Sequence, residues 1–193
     1  MRWSVYILFA LIACAFDASV GSILEIGSIR GCVLPSVVVF MALQAPRKLV
    51  VRAAMLAGLA ADLFSPLILP EGGTLVVLGP NLLGFALGGL VVAPLRALLS
   101  RQNPLSAPVA TLSFSLFAGL ATGAVWVLRS AIWGSVPPWW PESGGHEALR
   151  VLLGAIGDAA VALPALWLLG KSRPLWGFLT TTKVSPGIAR QSA

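Results

Sequence analysis

The stretch Ala57 to Pro66, AGLAADLFSP, sets one carboxylate, Asp62, inside an apolar run that ends on proline. A charge near the middle of a bilayer is expensive, so an acid placed there marks a functional site or a tightly partnered structural one. The rest of the chain favours the bilayer. Hydrophobic residues make up 58% and charged residues only 10%, against about 45–50% and about 25% in soluble domains. The apolar runs flanking Asp62 are long enough to be spans, and nothing resembles a separate soluble module.

Six candidate spans follow from the apolar runs and their breakers, measured against the about 20 residues a helix needs to cross. They cover 3–24, 31–44, 49–69, 75–99, 105–133 and 149–169. The second is short enough to be tilted, thinly embedded or partly re-entrant. Residues 171–193 read as a polar, mobile cytoplasmic tail. The expected fold class is all-α: one polytopic membrane bundle of six transmembrane helices.

Charge orients the bundle. Arg2, then Arg47, Lys48 and Arg52, then Arg96 and Arg101, then Lys171, Arg173, Lys183 and Arg190 fall on one side. The other side receives Arg30, Arg129 and Arg150, together with Glu25, Glu71, Glu142 and Glu147. Cationic loops stay cytoplasmic, so both termini are expected inside. The net charge of +6 therefore reads as topology and contact with anionic lipid. Nucleic acid is not an expected partner, because no basic patch is interleaved with exposed aromatics.

Two further segments carry two readings each. The outer loop VPPWWPESGGH, 136–146, reads as an interfacial aromatic anchor on a stiff turn, or as a docking surface for an outer partner. LIAC, Leu11 to Cys14, fits a lipoprotein cleavage site. Yet apolarity continues past it to Ile26, broken only at Asp17, which favours an intact span. Cys14 and Cys32 supply neither a disulfide framework nor zinc spacing. His146, the single histidine, falls in the polar outer loop, so no metal site, cofactor or Ser-His-Asp triad is expected in the membrane.

Asp17, Asp62 and Asp158 are the acids within spans, with Asn81 as their neutral companion. At about 1.5 Å per residue all four lie roughly 18–23 Å from the cytoplasmic end of their spans, which places them in one polar layer. Three such acids with no intramembrane Lys or Arg are not comfortably ionised together. At least two are expected to be protonated, or bonded to backbone, Asn81 or Ser65. The plain reading is hydrogen-bonded glue between helices. Close helix packing is expected at Gly58, along Gly84-x-x-x-Gly88 with Gly89, along Gly119-x-x-x-Gly123, and at Gly154 and Gly157. Pro80, Pro94 and Pro164 are expected to kink their helices.

Paired membrane acids also suggest an aspartyl intramembrane protease. The signature would be GxGD, but AIGD, Ala155 to Asp158, lacks its first glycine. A second alternative is the substrate-binding subunit of a vitamin-uptake transporter, a small six-helix protein with an outer-half pocket.

The ordered set of segments resembles the rod shape-determining protein MreD family. RGCVLPSVVVFM (Arg30 to Met41) is similar to the start of that family's short second span. AGLAADLFSP resembles its small-residue and Asp segment in span three. EGG (Glu71 to Gly73) and GPNLLGFALGGLVVAPLRALL (Gly79 to Leu99) resemble its outer turn and the Gly-containing helix before a basic inner loop. DAAVALP (Asp158 to Pro164) resembles the last span, although family members often carry a neutral polar residue where this chain has Asp158. The resemblance spans most of residues 1–170. It implies a fold similar to the vitamin-uptake subunits. It also implies a non-enzymatic scaffold of cell-wall elongation in the bacterial inner membrane. The implied partners are an MreC-like membrane protein and, with it, MreB, RodA and a class B penicillin-binding protein. Inner partners would meet the basic loops Arg47, Lys48, Arg52, Arg96 and Arg101.

Overall fold

The computed structural model describes residues 2–19, 31–68, 74–96, 106–134, 138–139 and 144–177. Within them the chain forms helices α1 (Trp3–Ser19), α2 (Leu34–Gln44), α3 (Arg47–Phe64), α4 (Pro80–Leu95), α5 (Ser106–Trp133) and α6 (Gly144–Lys171). A short 3-10 turn, Arg173–Trp176, follows α6. Between α3 and α4 a small ribbon pairs β1 (Leu67–Ile68) antiparallel with β2 (Thr74–Leu75). The fold is all-helical apart from that ribbon.

Proline and glycine explain where the helices stop and start. Ser65 precedes Pro66 and is pushed out of the helical region, to φ −119 and ψ 66, because the proline ring crowds the residue before it. The third helix therefore ends at Phe64, short of the expected 69. Gly79 takes φ +123, a conformation that glycine adopts without a side-chain clash. Pro80 then opens α4, where its missing N–H is no loss. The fourth helix accordingly starts at 80 rather than 75, and Pro80 begins it instead of kinking it. Pro94 and Pro164 do lie inside helices. At the other boundary α6 begins at Gly144. It thus takes in His146, which the sequence placed in a loop.

The short helix α2 is the centre of the bundle. Leu34 to Ala42 are all buried, and α2 packs against each of the other five helices. Around it α3 packs on α4, α4 on α5 and α5 on α6, while α1 lies on α2 and α3. Close approach along this ring depends on absent side chains. A Cβ on Gly58 would run into the Asn81 carbonyl and Leu82 of α4, and one on Gly84 into Thr122 of α5.

Contacts at the helix ends show that the helices alternate in direction. At one end the Arg2 N–H donates to the Trp176 carbonyl (3.0 Å), joining the start of α1 to the chain after α6. At the same end Arg96 Nη1 donates to the Ala45 carbonyl (2.9 Å), tying the end of α4 to the end of α2. Trp176 is fully buried against Tyr6, Phe9 and Phe40. Trp176, which falls within the expected tail, is thus packed into the core, while Arg173, Pro174 and Leu175 before it are exposed. Tyr6 is also fully buried, and its hydroxyl donates to the Ala53 carbonyl at 2.6 Å. Cleavage before Cys14 would strip these core contacts.

Among the described residues α5 and α6 are long and apolar enough to cross a membrane, and only 22% of each apolar window is buried. A core helix of a soluble protein would bury that window. Leu120, Val127 and Leu128 on α5, and Leu152, Ile156 and Leu163 on α6, face outward. That much exposed apolar surface is unusual for a soluble monomer and fits a protein associated with a membrane.

Candidate functional site

A helix begins with N–H groups that have no partner inside it, and in an apolar surrounding each must find one. The start of α2 solves this with an acid from α1. Asp17 accepts from Val33 N–H at 2.7 Å and from Leu34 N–H at 3.0 Å, one bond to each carboxyl oxygen. Pro35 has no N–H, and Ser36 N–H donates to the Val33 carbonyl. One residue earlier, Cys32 N–H donates to Asp158 of α6 at 2.6 Å. The start of α4 uses the same device. Asp62 accepts from the N–H groups of Gly79 (2.8 Å), Asn81 (3.0 Å) and Leu82 (3.3 Å), while Pro80 has none to offer. Asp17 and Asp62 each stand two residues before the end of their own helix and cap the next one. A carboxylate there also meets the positive end of the helix dipole.

The three acids therefore bond to backbone, which was one of the outcomes expected from sequence. Ser65 is exposed and takes no part in the Asp62 bonds. Asn81 meets Asp62 through its backbone, and its side-chain oxygen lies 3.5 Å from the Thr122 hydroxyl, which also reaches the Pro80 carbonyl at 3.2 Å.

The four polar residues differ in what they line. Asp17, Asn81 and Asp158 line one cavity of about 480 Å³; Asp62 is buried beside it and does not line it. The cavity follows from helix lengths. With 11 residues α2 is much shorter than α5 and α6, at 28 each, and among the described residues the cavity opens beyond its N-terminus. Its floor is Cys32, Leu34 and Pro35, and its walls carry Phe85, Ser115, Thr122 and Trp126. Trp139, Glu147 and Arg150 line it as well, the last two 3.7 Å apart. The Arg129 guanidinium sits 5.9 Å from the Trp126 ring centre. The Ser115 hydroxyl stands beside the Asp158 carboxyl without forming a full hydrogen bond.

The glycines separate into two kinds. At Gly58, Gly84, Gly88 and Gly119 an added Cβ would press on a neighbouring helix, as the sequence predicted. At Gly123 and Gly154 it would meet nothing within 4 Å among the described residues; both line the cavity. Among the described residues, then, Gly123 shows no such close neighbour. Of the basic residues, Arg47, Lys48 and Arg52 are exposed at the start of α3, and Arg96 is half-buried on the Ala45 carbonyl. Arg101, most of the VPPWWPESGGH loop and the EGG turn lie outside the described residues.

Sequence reading missed the capping pairs. Their signal was a proline at the first or second position of α2 and α4, each preceded by an Asp near the end of the previous helix. Comparison with protein-family models, with curated proteins and with solved structures found no match.

Proposed function

We propose that this chain is a non-enzymatic, six-span scaffold of the bacterial inner membrane. In this reading it acts in cell-wall elongation and holds an MreC-like partner. The observation that carries the reading is the use of the acids. Asp62, the residue at the heart of the MreD-like segment, spends its carboxyl oxygens on three backbone N–H groups at the start of α4, those of Gly79, Asn81 and Leu82. It acts as a structural cap. This weighs against the protease alternative, in which Asp62 and Asp158 would share one water. Here Asp158 belongs to the cavity with Asp17, and Asp62 does not.

Six spans with inner termini are supported by the alternating helix directions and by charge. Arg2, Arg47, Lys48, Arg96, Lys171 and Arg173 gather at the end where Arg2 meets Trp176; Arg129 and Arg150 stand at the other. That asymmetry matches the cytoplasmic bias of cationic residues. The short α2 needs no lipid contact, because other helices surround it. The uptake-subunit alternative is favoured by one observation, the cavity. Depletion separates the two readings. Loss of the chain should round up a rod-shaped host or displace its wall synthesis. Normal shape with lost micronutrient uptake would instead support the transporter subunit.

A further inference from the structure

We propose that the exposed face of α3 holds the headgroup of an anionic phospholipid, with its phosphate between Lys48 and Arg52. The proposal rests on the six-span reading and not on the scaffold role. Helix geometry carries the first argument. An α-helix turns about 100° per residue, so residues four and seven apart share a face. Lys48, Arg52, Met55, Leu56 and Leu63 are all exposed, and they fall within one arc about 100° wide. Val50, Ala53, Ala54 and Ala57 occupy the opposite arc and are buried against the bundle. The two cations therefore form the inner end of a stripe that is otherwise apolar. Along that stripe Arg52 lies about 7.5 Å from Arg47 at the helix start and about 16 Å from Leu63. Cationic side chains so placed run their stems along the apolar face and bring their charge to the lipid phosphates.

Charge carries the second argument. Arg47, Lys48 and Arg52 form no ion pair or hydrogen bond among the described residues. The described acids are engaged elsewhere: Asp17, Asp62 and Asp158 on backbone N–H groups, and Glu147 beside Arg150. Two neighbouring cations of the inner end are engaged as well. Arg96 donates to the Ala45 carbonyl, and the Lys171 ammonium sits 3.7 Å from the Trp167 ring centre. The cations at the start of α3 thus take their counter-ion from outside the described chain. An anionic headgroup supplies it, with roughly a fivefold gain in affinity for each cation near the surface. A zwitterionic headgroup brings its own cation and gains little.

The test titrates the full chain in mild detergent with an equimolar mixture of phosphatidylglycerol and phosphatidylcholine of identical acyl chains, read by native mass spectrometry. The first lipid retained should be phosphatidylglycerol, favoured about tenfold or more. The preference should fall as ammonium acetate is raised to about 0.5 M. Lys48→Gln together with Arg52→Gln should bring it close to unity, while Lys171→Gln together with Arg173→Gln should leave it within about twofold. Both pairs should melt with the parent, because the residues are exposed. Spin labels at Arg52→Cys and Met55→Cys of a cysteine-free variant, in bilayers of the same two lipids, locate the stripe. Both should collide more with oxygen than with a water-soluble nickel chelate. A label in water at Met55→Cys would remove the span itself, and the proposal with it. A label in lipid at Met55→Cys but in water at Arg52→Cys, as a soluble inner partner requires, would overturn the lipid site alone. Equal binding of the two lipids, a preference that survives the Lys48 and Arg52 pair, or one lost with the control pair would also overturn it.

Discussion

Replacing Asp62 by alanine should destabilise the fold. Asp62 is only 3% exposed, so water does not readily replace it. The substitution orphans the N–H groups of Gly79, Asn81 and Leu82, at 2.8, 3.0 and 3.3 Å. The two shorter bonds should each contribute about 1–1.5 kcal/mol and the third less, giving a loss of about 3 kcal/mol in all. That exceeds the about 1 kcal/mol of an ordinary surface N-cap because the site is buried. Asparagine keeps one acceptor oxygen and should recover about half of the loss. Ser65→Ala, which removes the hydroxyl that sequence alone offered as a partner, should change stability by less than about 0.5 kcal/mol. Reversible unfolding in mixed micelles with increasing dodecyl sulfate, followed by circular dichroism, measures all three. An alanine variant as stable as the parent would refute the capping argument, as would an asparagine variant that is no better than alanine.

Other substitutions probe the remaining packing. Tyr6→Phe should lose about 1 kcal/mol, because it removes the buried hydrogen bond to the Ala53 carbonyl, and the same unfolding assay reads it. Trp176→Ala should lose about 3–5 kcal/mol by emptying a fully buried site, whereas a mobile tail would show no effect. Gly58→Val should prevent folding, since its Cβ meets α4 backbone, while Gly123→Ala should be neutral or stabilise by up to about 1 kcal/mol. Single cysteines introduced at Ser172 and at Gly144 of a cysteine-free variant should label from opposite sides of sealed vesicles. Labelling from one side would contradict the alternating helices.

How much was readable before the structure differs from place to place. Six helices were legible because their apolar runs are long and broken by Pro, Gly or charge. The limits of α3 and α4 were not, although Ser65-Pro66 and Gly79-Pro80 were visible. Leu67 to Leu69 and Leu75 to Leu78 are apolar, and apolarity alone does not separate a short ribbon from a helix. The shortness of α2 was legible, but its central place was not. Eleven apolar residues look the same whether lipid or protein surrounds them. The acids were found by their cost in a membrane, yet the partners of Asp17 and Asp62 lie 16 to 20 residues onward and that of Asp158 lies 126 residues back, in a register the sequence does not state. Gly58 and Gly123 show the same limit, since the residue type is identical and only what stands opposite differs.

The central claim is that this chain holds a membrane partner for wall elongation. Affinity purification of the tagged chain from host membranes in mild detergent, with mass spectrometry of what comes with it, tests this most directly. The scaffold account predicts recovery of an MreC-like protein. Its clean absence, while the tagged chain itself stays folded and complete, would contradict the account.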